Sequence, residues 1–371
     1  MKKILCIIMV MIFSVTGLAA CGNQTRNNTD SNQTKKIKAA FLGWRFGDKG
    51  FNELAVSGVK RADQDFENLE ITAIDITTDP KNFVPSLLEA CDSGYDIIAL
   101  AAFEFGEILD EYAPQYPNIT FILLDGECSY DTVDLPNVYS ATFQSNESAF
   151  LAGMTAAYIT NKTSLDGINP EKVIGFVGGQ DNVPSIFNFY IGYVEGATYY
   201  DPEIKVTHAY VNSFDDSAKA KELGLTQYNA MNADIVFHAS GAAGLGVFEG
   251  AYEVGKYAIG CNTDQTQLFE GRREKDRIVT STMIGVDQGL YNAFKAYIEG
   301  NLETGKQHTL GISQDIGGLA DNDIFRTYVD EDFIAVLNET KEKIKKGEIV
   351  VTSAFNVSTD FVREMETRVK P

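Results

Sequence analysis

The first predicted strand leads into a short loop that reads Gly47-Asp48-Lys49-Gly50-Phe51-Asn52-Glu53. The strand covers residues 38–43, and apolar residues follow the loop at helical spacing over 54–66. The loop therefore joins the carboxyl end of a strand to the start of a helix. That position is where open α/β sheets bind small ligands, because helix N-termini and free backbone N–H groups meet there.

Two side chains of this loop suit a flat ligand. Phe51 offers an aromatic face, and the amide of Asn52 both donates and accepts hydrogen bonds, a combination that fits a nucleobase. A second interpretation stays open at this stage. Phe51 could instead pack on the helix as a hydrophobic staple, with Asn52 as the helix N-cap.

The alternation of strand and helix recurs along the chain in two series. Apolar runs predict further strands at 70–75, 97–101, 119–125 and 138–142, and then at 173–179, 204–210, 235–238 and 258–261. A helix over 147–159 is expected to bridge the two series. Two successive βα series predict an α/β protein with two Rossmann-like, doubly wound lobes.

The N-terminal residues have the pattern of a secretory signal. Two lysines precede an apolar run over 4–15, and Leu18-Ala19-Ala20 comes directly before Cys21. This order resembles a bacterial lipobox, which predicts residues 1–20 as a lipoprotein signal peptide and Cys21 as the lipidated residue. An ordinary cleavage site beside an incidental cysteine is the alternative. Residues 21–35 are polar and predict a tether, held at the outer face of the cell membrane by acyl chains such as palmitate.

Composition narrows the classes of partner. The 371 residues are 44% hydrophobic and carry a formal net charge of −21, which disfavours binding to nucleic acid polymers and leads us to expect a neutral or cationic small ligand. Beyond the N-terminal segment, the cysteines are Cys91, Cys128 and Cys261, and their wide spacing indicates neither a disulfide framework nor a zinc site. We expect no metal and no cofactor.

The sequence contains no GxSxG, HExxH or P-loop motif, and its first βα turn, residues 43–47, does not match a dinucleotide fingerprint. The ligand is therefore expected to be unphosphorylated, and the protein is predicted not to be an enzyme. Groups that could face a cleft follow several strands: Asp125, Phe103 and the small-residue loop 240–244. The pair Asp215-Asp216 is interpreted as solvated surface. These features are typical of a binding protein that closes on its ligand by a hinge motion.

Five sequence blocks stand in a recognisable order within residues 37–320. They read Asp48-Lys49-Gly50-Phe51-Asn52, Glu147-Ser148-Ala149-Phe150-Leu151-Ala152-Gly153, Ile174-Gly175-Phe176-Val177-Gly178-Gly179, Ile191-Gly192-Tyr193-Val194-Glu195-Gly196-Ala197 and Ile259-Gly260-Cys261-Asn262-Thr263-Asp264-Gln265. In this order the blocks resemble the basic membrane protein family, the purine-nucleoside receptor lipoproteins that serve ABC transporters. The resemblance implies a type I periplasmic-binding fold, with two lobes joined by a hinge of three crossing strands and the ligand in the cleft between them. It also implies discontinuous lobes, 36–144 plus 265–315 and 145–264 plus 316–371.

The resemblance further implies a set of ligand-binding residues. In the family a purine lies between two aromatic rings, one from each lobe, and the matching residues here are Phe51 and Phe214. A core position for Phe214 is the alternative. The other residues expected at the ligand are Asn52 and Asp125 at the polar edge of the base, Gly241 and Gly244 near the sugar, Asn262 as a partner of one sugar hydroxyl, Asp264 and Asp48 from the retained motifs, and Trp44 as an extension of the pocket. For Trp44, a surface stack on Arg45 is the alternative.

Two departures from the family pattern concern the sugar. Asn262 and Ile284 stand where the family has an aspartate and a lysine that resemble the groups gripping the ribose hydroxyls. Because both charges are absent together, neither is left without its partner. The sequence therefore predicts altered recognition at the sugar end, compatible with a deoxyribose, a free base or another heterocycle.

The combined prediction is an extracytoplasmic, lipid-anchored solute-binding protein that delivers a purine nucleoside or related aromatic heterocycle to an ABC permease. One alternative is a receptor for a sugar or another small polar metabolite. Another is a secreted nucleosidase that uses Asp125, Asp264 or Asp48. A surface adhesin is a further class, for which the sequence offers no motif.

Overall fold

Two six-stranded sheets form the frame of the protein, which a computed structural model describes over residues 35–47 and 50–371. The strands are β1 (Ile37–Gly43), β2 (Leu69–Asp75), β3 (Ile97–Ala101), β4 (Thr120–Leu124), β5 (Val138–Phe143), β6 (Val173–Gly178), β7 (Lys205–Tyr210), β8 (Ala233–Ala239), β9 (Tyr257–Gly260), β10 (Ile278–Met283), β11 (Lys306–Leu310) and β12 (Gly318–Leu319). The first sheet has the order β11-β5-β4-β3-β1-β2, and the second has the order β12-β10-β9-β8-β6-β7. Neighbouring strands are parallel except β12, which runs antiparallel to β10.

Helices cover both faces of each sheet. They are α1 (Phe51–Asp65), α2 (Phe83–Asp92), α3 (Phe105–Tyr112), α4 (Ser145–Thr160), α5 (Pro184–Tyr200), α6 (Ser217–Ala230), α7 (Leu245–Glu253), α8 (Val286–Ile298), α9 (Asp323–Tyr328), α10 (Glu331–Lys345) and α11 (Thr359–Val369). Since both faces are covered, the central strands are apolar throughout, and every residue of β3 and β8 is buried. The result is the predicted α/β architecture of two lobes.

The apolar runs of the sequence correspond closely to nine of these strands, β1 to β9. The sequence prediction missed β10, β11 and β12. β10 reads Ile-Val-Thr-Ser-Thr-Met and β11 reads Lys-Gln-His-Thr-Leu, so their polar content hides them from a search for apolar runs. β12 has only two residues, and its strand conformation depends on the antiparallel pairing with β10.

The predicted boundary at residue 265 is wrong for β10. The sequence assigned 265–315 to the first lobe, but β10 pairs with β9 in the second sheet. Gln265 itself is bound to the second lobe. Its side-chain oxygen accepts hydrogen bonds from His238 Nε2 and from the Cys261 amide, each at 2.8 Å. The chain returns to the first lobe only at α8, whose apolar side packs on the first sheet.

Three connections join the lobes, one after β5, one after β10 and one after β11. The first turn of α4 binds the other two connections. Ser148 Oγ donates to the Met283 carbonyl at 2.9 Å and accepts from the Gly318 amide at 2.8 Å. Glu147 Oε2 accepts from the Ile312 amide at 2.7 Å. We call Glu147 and Ser148 the hinge pair.

The glycines of two family blocks serve helix packing. A Cβ atom at Gly153 of α4 would lie 2.0 Å from the Tyr193 carbonyl oxygen of α5, and one at Gly196 of α5 would lie 1.9 Å from the Phe150 carbonyl oxygen of α4. Only glycine lets the two helix backbones approach this closely. These blocks therefore build the core of the second lobe, and they place the hinge pair at the start of α4.

Candidate functional site

A cavity of about 270 Å³ lies between the carboxyl edges of the two sheets. Its wall includes residues that follow strands of both lobes, among them Ala102 after β3, Asp125 after β4, Gln180 after β6 and Phe214 after β7. The convergence of strand ends follows from the doubly wound topology, which brings the carboxyl ends of parallel strands to one edge. The cavity is therefore the candidate ligand site.

Phe51 and Phe214 both line this cavity, one from each lobe. Phe51 is the first residue of α1, and its ring packs against the apolar cores of both lobes. The ring of Phe214 rests on Gly179, where a Cβ atom would lie 2.2 Å from Phe214 Cε1. The Phe214 carbonyl accepts a hydrogen bond from the Ala243 amide at 2.9 Å, which holds its loop against the second sheet.

The capping interpretation of the first loop is wrong. The N-cap of α1 is Gly50, and no side chain caps this helix end. Asn52 is the second residue of α1 and lines the cavity, with 8% of its surface exposed. The helix start thus presents Phe51 and Asn52 together to the cavity.

Three cavity residues adopt left-handed backbone conformations just after strands. Arg45 follows β1 with φ of 53°, Asp125 follows β4 with φ of 60°, and Asn262 follows β9 with φ of 72°. Such conformations are unfavourable for residues other than glycine, least so for Asp and Asn, and are concentrated at functional sites. The strand ends are therefore shaped to turn the chain sharply at the cavity.

Glu104 is a cavity residue that the sequence reasoning missed. It follows β3, whose Ala101 pairs with Leu124 of β4, so Glu104 and Asp125 come after adjacent strands. Burial raises the pKa of both carboxyls to about 7, and the charge of Glu104 adds to the shift at Asp125. The sequence holds a signal for it, because Glu104 directly follows Phe103 at the end of a predicted strand.

The side of the cavity expected to meet a sugar is mostly apolar. Ile284 lines it with 5% exposure, and Asn262 is 9% exposed with its Oδ1 accepting from the Cys261 thiol at 3.0 Å. Among the described residues that line the cavity, Arg45 is the only cationic one. Asn262 and Ile284, the two departures from the family pattern, therefore both lie in the cavity wall.

Arg45 and Asp215 form an ion pair across the cleft, which corrects the interpretation of Asp215 as merely solvated. Its neighbour Asp216 is the N-cap of α6, with its carboxylate accepting from the Lys219 amide at 2.9 Å. Trp44 lines the cavity, as expected, and its ring stacks on Phe83 with the ring centroids 4.8 Å apart.

Two predicted ligand residues lie outside the cavity wall. The carboxylate of Asp264 accepts from the Thr266 amide at 3.2 Å, from Thr266 Oγ1 at 2.6 Å and from Asn322 Nδ2 at 2.9 Å, which caps the short 3₁₀ helix that follows. Gly244 packs on His238, where a Cβ atom would lie 1.9 Å from the ring nitrogen Nδ1. Both positions therefore serve local packing, whereas Gly241 does line the cavity. Asp48 and Cys21 lie outside the described residues.

Chemically, the cavity resembles a binding site more than a catalytic one. His238 is buried beside it, but its Nε2 donates to the Gln265 oxygen, and burial lowers its pKa to about 4. Burial raises the pKa of the Cys261 thiol in the wall to about 12. Over residues 35–47 and 50–371, no cluster of His, Cys, Asp or Glu has the makeup of a metal site, and no helix is long and apolar enough to cross a membrane.

Comparison with known proteins agrees with this description. Basic membrane protein D of Borreliella burgdorferi strain JD1 is 28% identical over 359 residues, which cover 94% of this chain and 96% of that protein. Basic membrane protein B of Borreliella burgdorferi strain B31 is 30% identical over 367 residues, covering 96% of this chain and 98% of that protein.

Solved structures show the same fold. A solute-binding protein of an ABC transporter system from Aeropyrum pernix K1 superimposes with a TM-score of 0.74 at 24% identity, covering 90% of this chain and 99% of that chain. The arabinose-binding component of an ABC transporter from Shewanella sp. ANA-3 superimposes with a TM-score of 0.59 at 15% identity, covering 81% and 98%. These neighbours have the type I periplasmic-binding fold, as the sequence predicted.

The profile of a family described as ABC transporter substrate-binding protein, PnrA-like, matches residues 37–353. The family and the structural neighbours are solute-binding proteins and not enzymes, which argues against the nucleosidase alternative. The fold, the cavity between the lobes and relatives that match nearly the full length all agree with this match. This chain therefore belongs to the PnrA-like, basic membrane protein family of extracytoplasmic ABC transporter substrate-binding proteins.

Proposed function

We propose that the protein is a lipid-anchored receptor that binds a purine nucleoside or a related aromatic heterocycle and delivers it to an ABC importer. As a substrate-binding protein of an ABC transporter it binds a small molecule and a permease. The proposal adds the chemical class of the ligand, the anchor and the direction of transport. It rests mainly on one observation, that Phe51 and Phe214 line the same cavity from opposite lobes.

Two rings from separate lobes can couple binding to closure. A planar ligand stacked on one ring gains the second contact only when the lobes meet, and stacking contributes about 1–3 kcal/mol per base. The ion pair between Arg45 and Asp215 spans the same cleft and adds to the closed form. The permease would then recognise the liganded protein by its closed shape.

The sugar side of the cavity supports altered recognition of the ribose. Ile284 contributes no hydrogen bond, and Asn262 can offer its Nδ2 group because Oδ1 is engaged by Cys261. A neutral amide binds a hydroxyl more weakly than a carboxylate does. We therefore expect little loss of affinity when the ribose is replaced by deoxyribose or removed.

Calorimetric titration with nucleosides, deoxynucleosides, free bases, ribose and arabinose tests the ligand class. We expect binding by the aromatic compounds, and a loss of about tenfold or more in affinity for Phe51→Ala and for Phe214→Ala. Phe66→Ala is the matched control, since Phe66 follows the far end of α1 and packs on Tyr291 away from the cavity. Phe103 is unsuitable as a control because it lines the cavity. Binding of the sugars alone would overturn the proposal in favour of a sugar receptor.

The anchor is tested separately from the ligand. Cys21→Ser should release the protein from the membrane fraction and abolish its labelling by a fatty acid, because a lipid-anchored protein depends on its acyl chains. Retention of the variant in the membrane fraction would argue against a lipid anchor at this residue.

A further inference from the structure

Glu104 and Asp125 bring two carboxyl groups to one wall of the cavity. β3 and β4 are adjacent parallel strands paired from Ile97 with Thr120 to Ala101 with Leu124, so the residues that follow them emerge side by side. Glu104 precedes the first residue of α3 and makes no capping hydrogen bond there. Both side chains line the cavity, which identifies this pair as part of the ligand site.

Neither carboxyl group forms an ion pair within the described part of the protein. Glu104 Oε2 is inaccessible to solvent and has no hydrogen-bond partner, and the Asp125 carboxyl forms no hydrogen bond or ion pair with residues 35–47 or 50–371. The cationic residue in the described wall, Arg45, is paired with Asp215 across the cleft, and its charge offsets only part of the effect of burial on the pKa of Glu104. A buried carboxylate without a partner is unfavourable, so this wall gains most from a ligand that supplies positive charge.

A neutral purine would satisfy this wall only in part. Its ring N–H and amino group can donate to one carboxylate, but the second carboxylate would then remain uncompensated beside the first. A cationic ring also stacks more favourably on an aromatic face, because the ring quadrupole attracts positive charge. Ile284, which stands where the family has a lysine, adds no further positive charge to the cavity wall that would repel such a ligand.

We propose that the ligand is a positively charged planar heterocycle, with its charged, amino-bearing edge held by Glu104 and Asp125. This inference rests on the proposed function, since it takes the stacking of an aromatic ligand as given. It narrows the ligand class to cationic heterocycles, and it identifies Glu104 as the residue that selects for charge.

Matched ligand pairs test the proposal directly. At pH 8 1-methyladenosine carries a positive ring where adenosine is neutral, and the quaternised ring of 1-methylnicotinamide differs from nicotinamide in the same way. Calorimetry at pH 8 should show each cationic compound binding about tenfold or more tightly than its neutral counterpart. Glu104→Gln should reduce this preference to about two-fold or less, since it removes one carboxylate and retains the shape of the side chain.

Glu107→Gln is the matched control, because it removes the same charge from the first turn of α3 at an exposed position outside the cavity wall. The control should keep the preference of the wild type. Equal or weaker binding of the cationic compounds, or an unchanged preference in Glu104→Gln, would overturn the inference while leaving the proposed function intact. Failure of all four compounds and of the wider panel to bind would overturn both.

Discussion

Asp125 combines a left-handed backbone, a position in the cavity wall and an uncompensated carboxyl group. The left-handed backbone and the buried carboxyl group are both unfavourable for the ligand-free protein, and their position in the cavity wall indicates a residue kept for its ligand. Burial raises its pKa to about 7, so the folded protein holds a proton on this group that the unfolded chain releases near its ordinary pKa. The folded state is therefore destabilised progressively as the pH rises from about 4 to about 7.

Replacing Asp125 by Asn should stabilise the ligand-free protein at pH 8. The amide cannot ionise, and asparagine tolerates the left-handed backbone, so the penalty of a buried charge disappears. We expect a higher melting temperature than the wild type at pH 8 and a similar one at pH 5, measured by thermal unfolding. The exposed Asp131→Asn should change neither value. A variant less stable than the wild type at pH 8 would show that the carboxylate is compensated after all.

At the scale of elements, the family blocks divide into those that meet the cavity and those that build the frame. The block around Phe51 begins α1 at the cavity wall, whereas the blocks in α4 and α5 supply glycines for helix packing. The block that ends in Asp264-Gln265 ties β8, β9 and the following 3₁₀ helix together. A motif retained from the family can therefore either line the cavity or pack the frame, and only the contacts seen in the structure distinguish these two roles.

The hinge pair predicts a specific loss of stability. Ser148 is 1% exposed and its hydroxyl bonds both the Met283 carbonyl and the Gly318 amide, so Ser148→Ala leaves two buried backbone groups unpaired. We expect the free energy of unfolding to fall by about 1–3 kcal/mol in urea titrations. Ser57→Ala, on the exposed face of α1, is the control and should change it by less than about 0.5 kcal/mol. An equal, small effect of both substitutions would mean that the hinge connections are held by other contacts.

At the scale of the whole molecule, the lobes meet through the hinge and across the cleft. Arg45 and Asp215 form the ion pair that spans the cleft, and the Asp215 side chain is 58% exposed. Exposed ion pairs contribute little, of order 0–1 kcal/mol, so this contact can bias closure but cannot enforce it. Closure is then expected to depend mainly on the ligand.

Asp215→Asn should shift the ligand-free protein toward the open form. We expect a larger radius of gyration in small-angle X-ray scattering and an affinity for the best ligand reduced by a few-fold, with the loss smaller at high salt because screening already weakens the pair. Glu222→Gln breaks an ion pair with Lys219 inside one lobe and is the control. An unchanged radius together with unchanged affinity would exclude a role for this pair in closure.

The sequence by itself determined the α/β class, the two lobes and nine strands, and its resemblance to a known family identified the two rings that line the cavity from opposite lobes. Apolar periodicity is a local property, and a residue directly after a parallel strand reaches the sheet edge in any doubly wound fold. The tertiary structure decided that Glu104 belongs to the cavity, that Asp264 and Gly244 serve packing, and that β10 joins the second lobe. These outcomes depend on which strands are neighbours and which partner a polar group meets, and both are set by contacts between residues far apart in the chain.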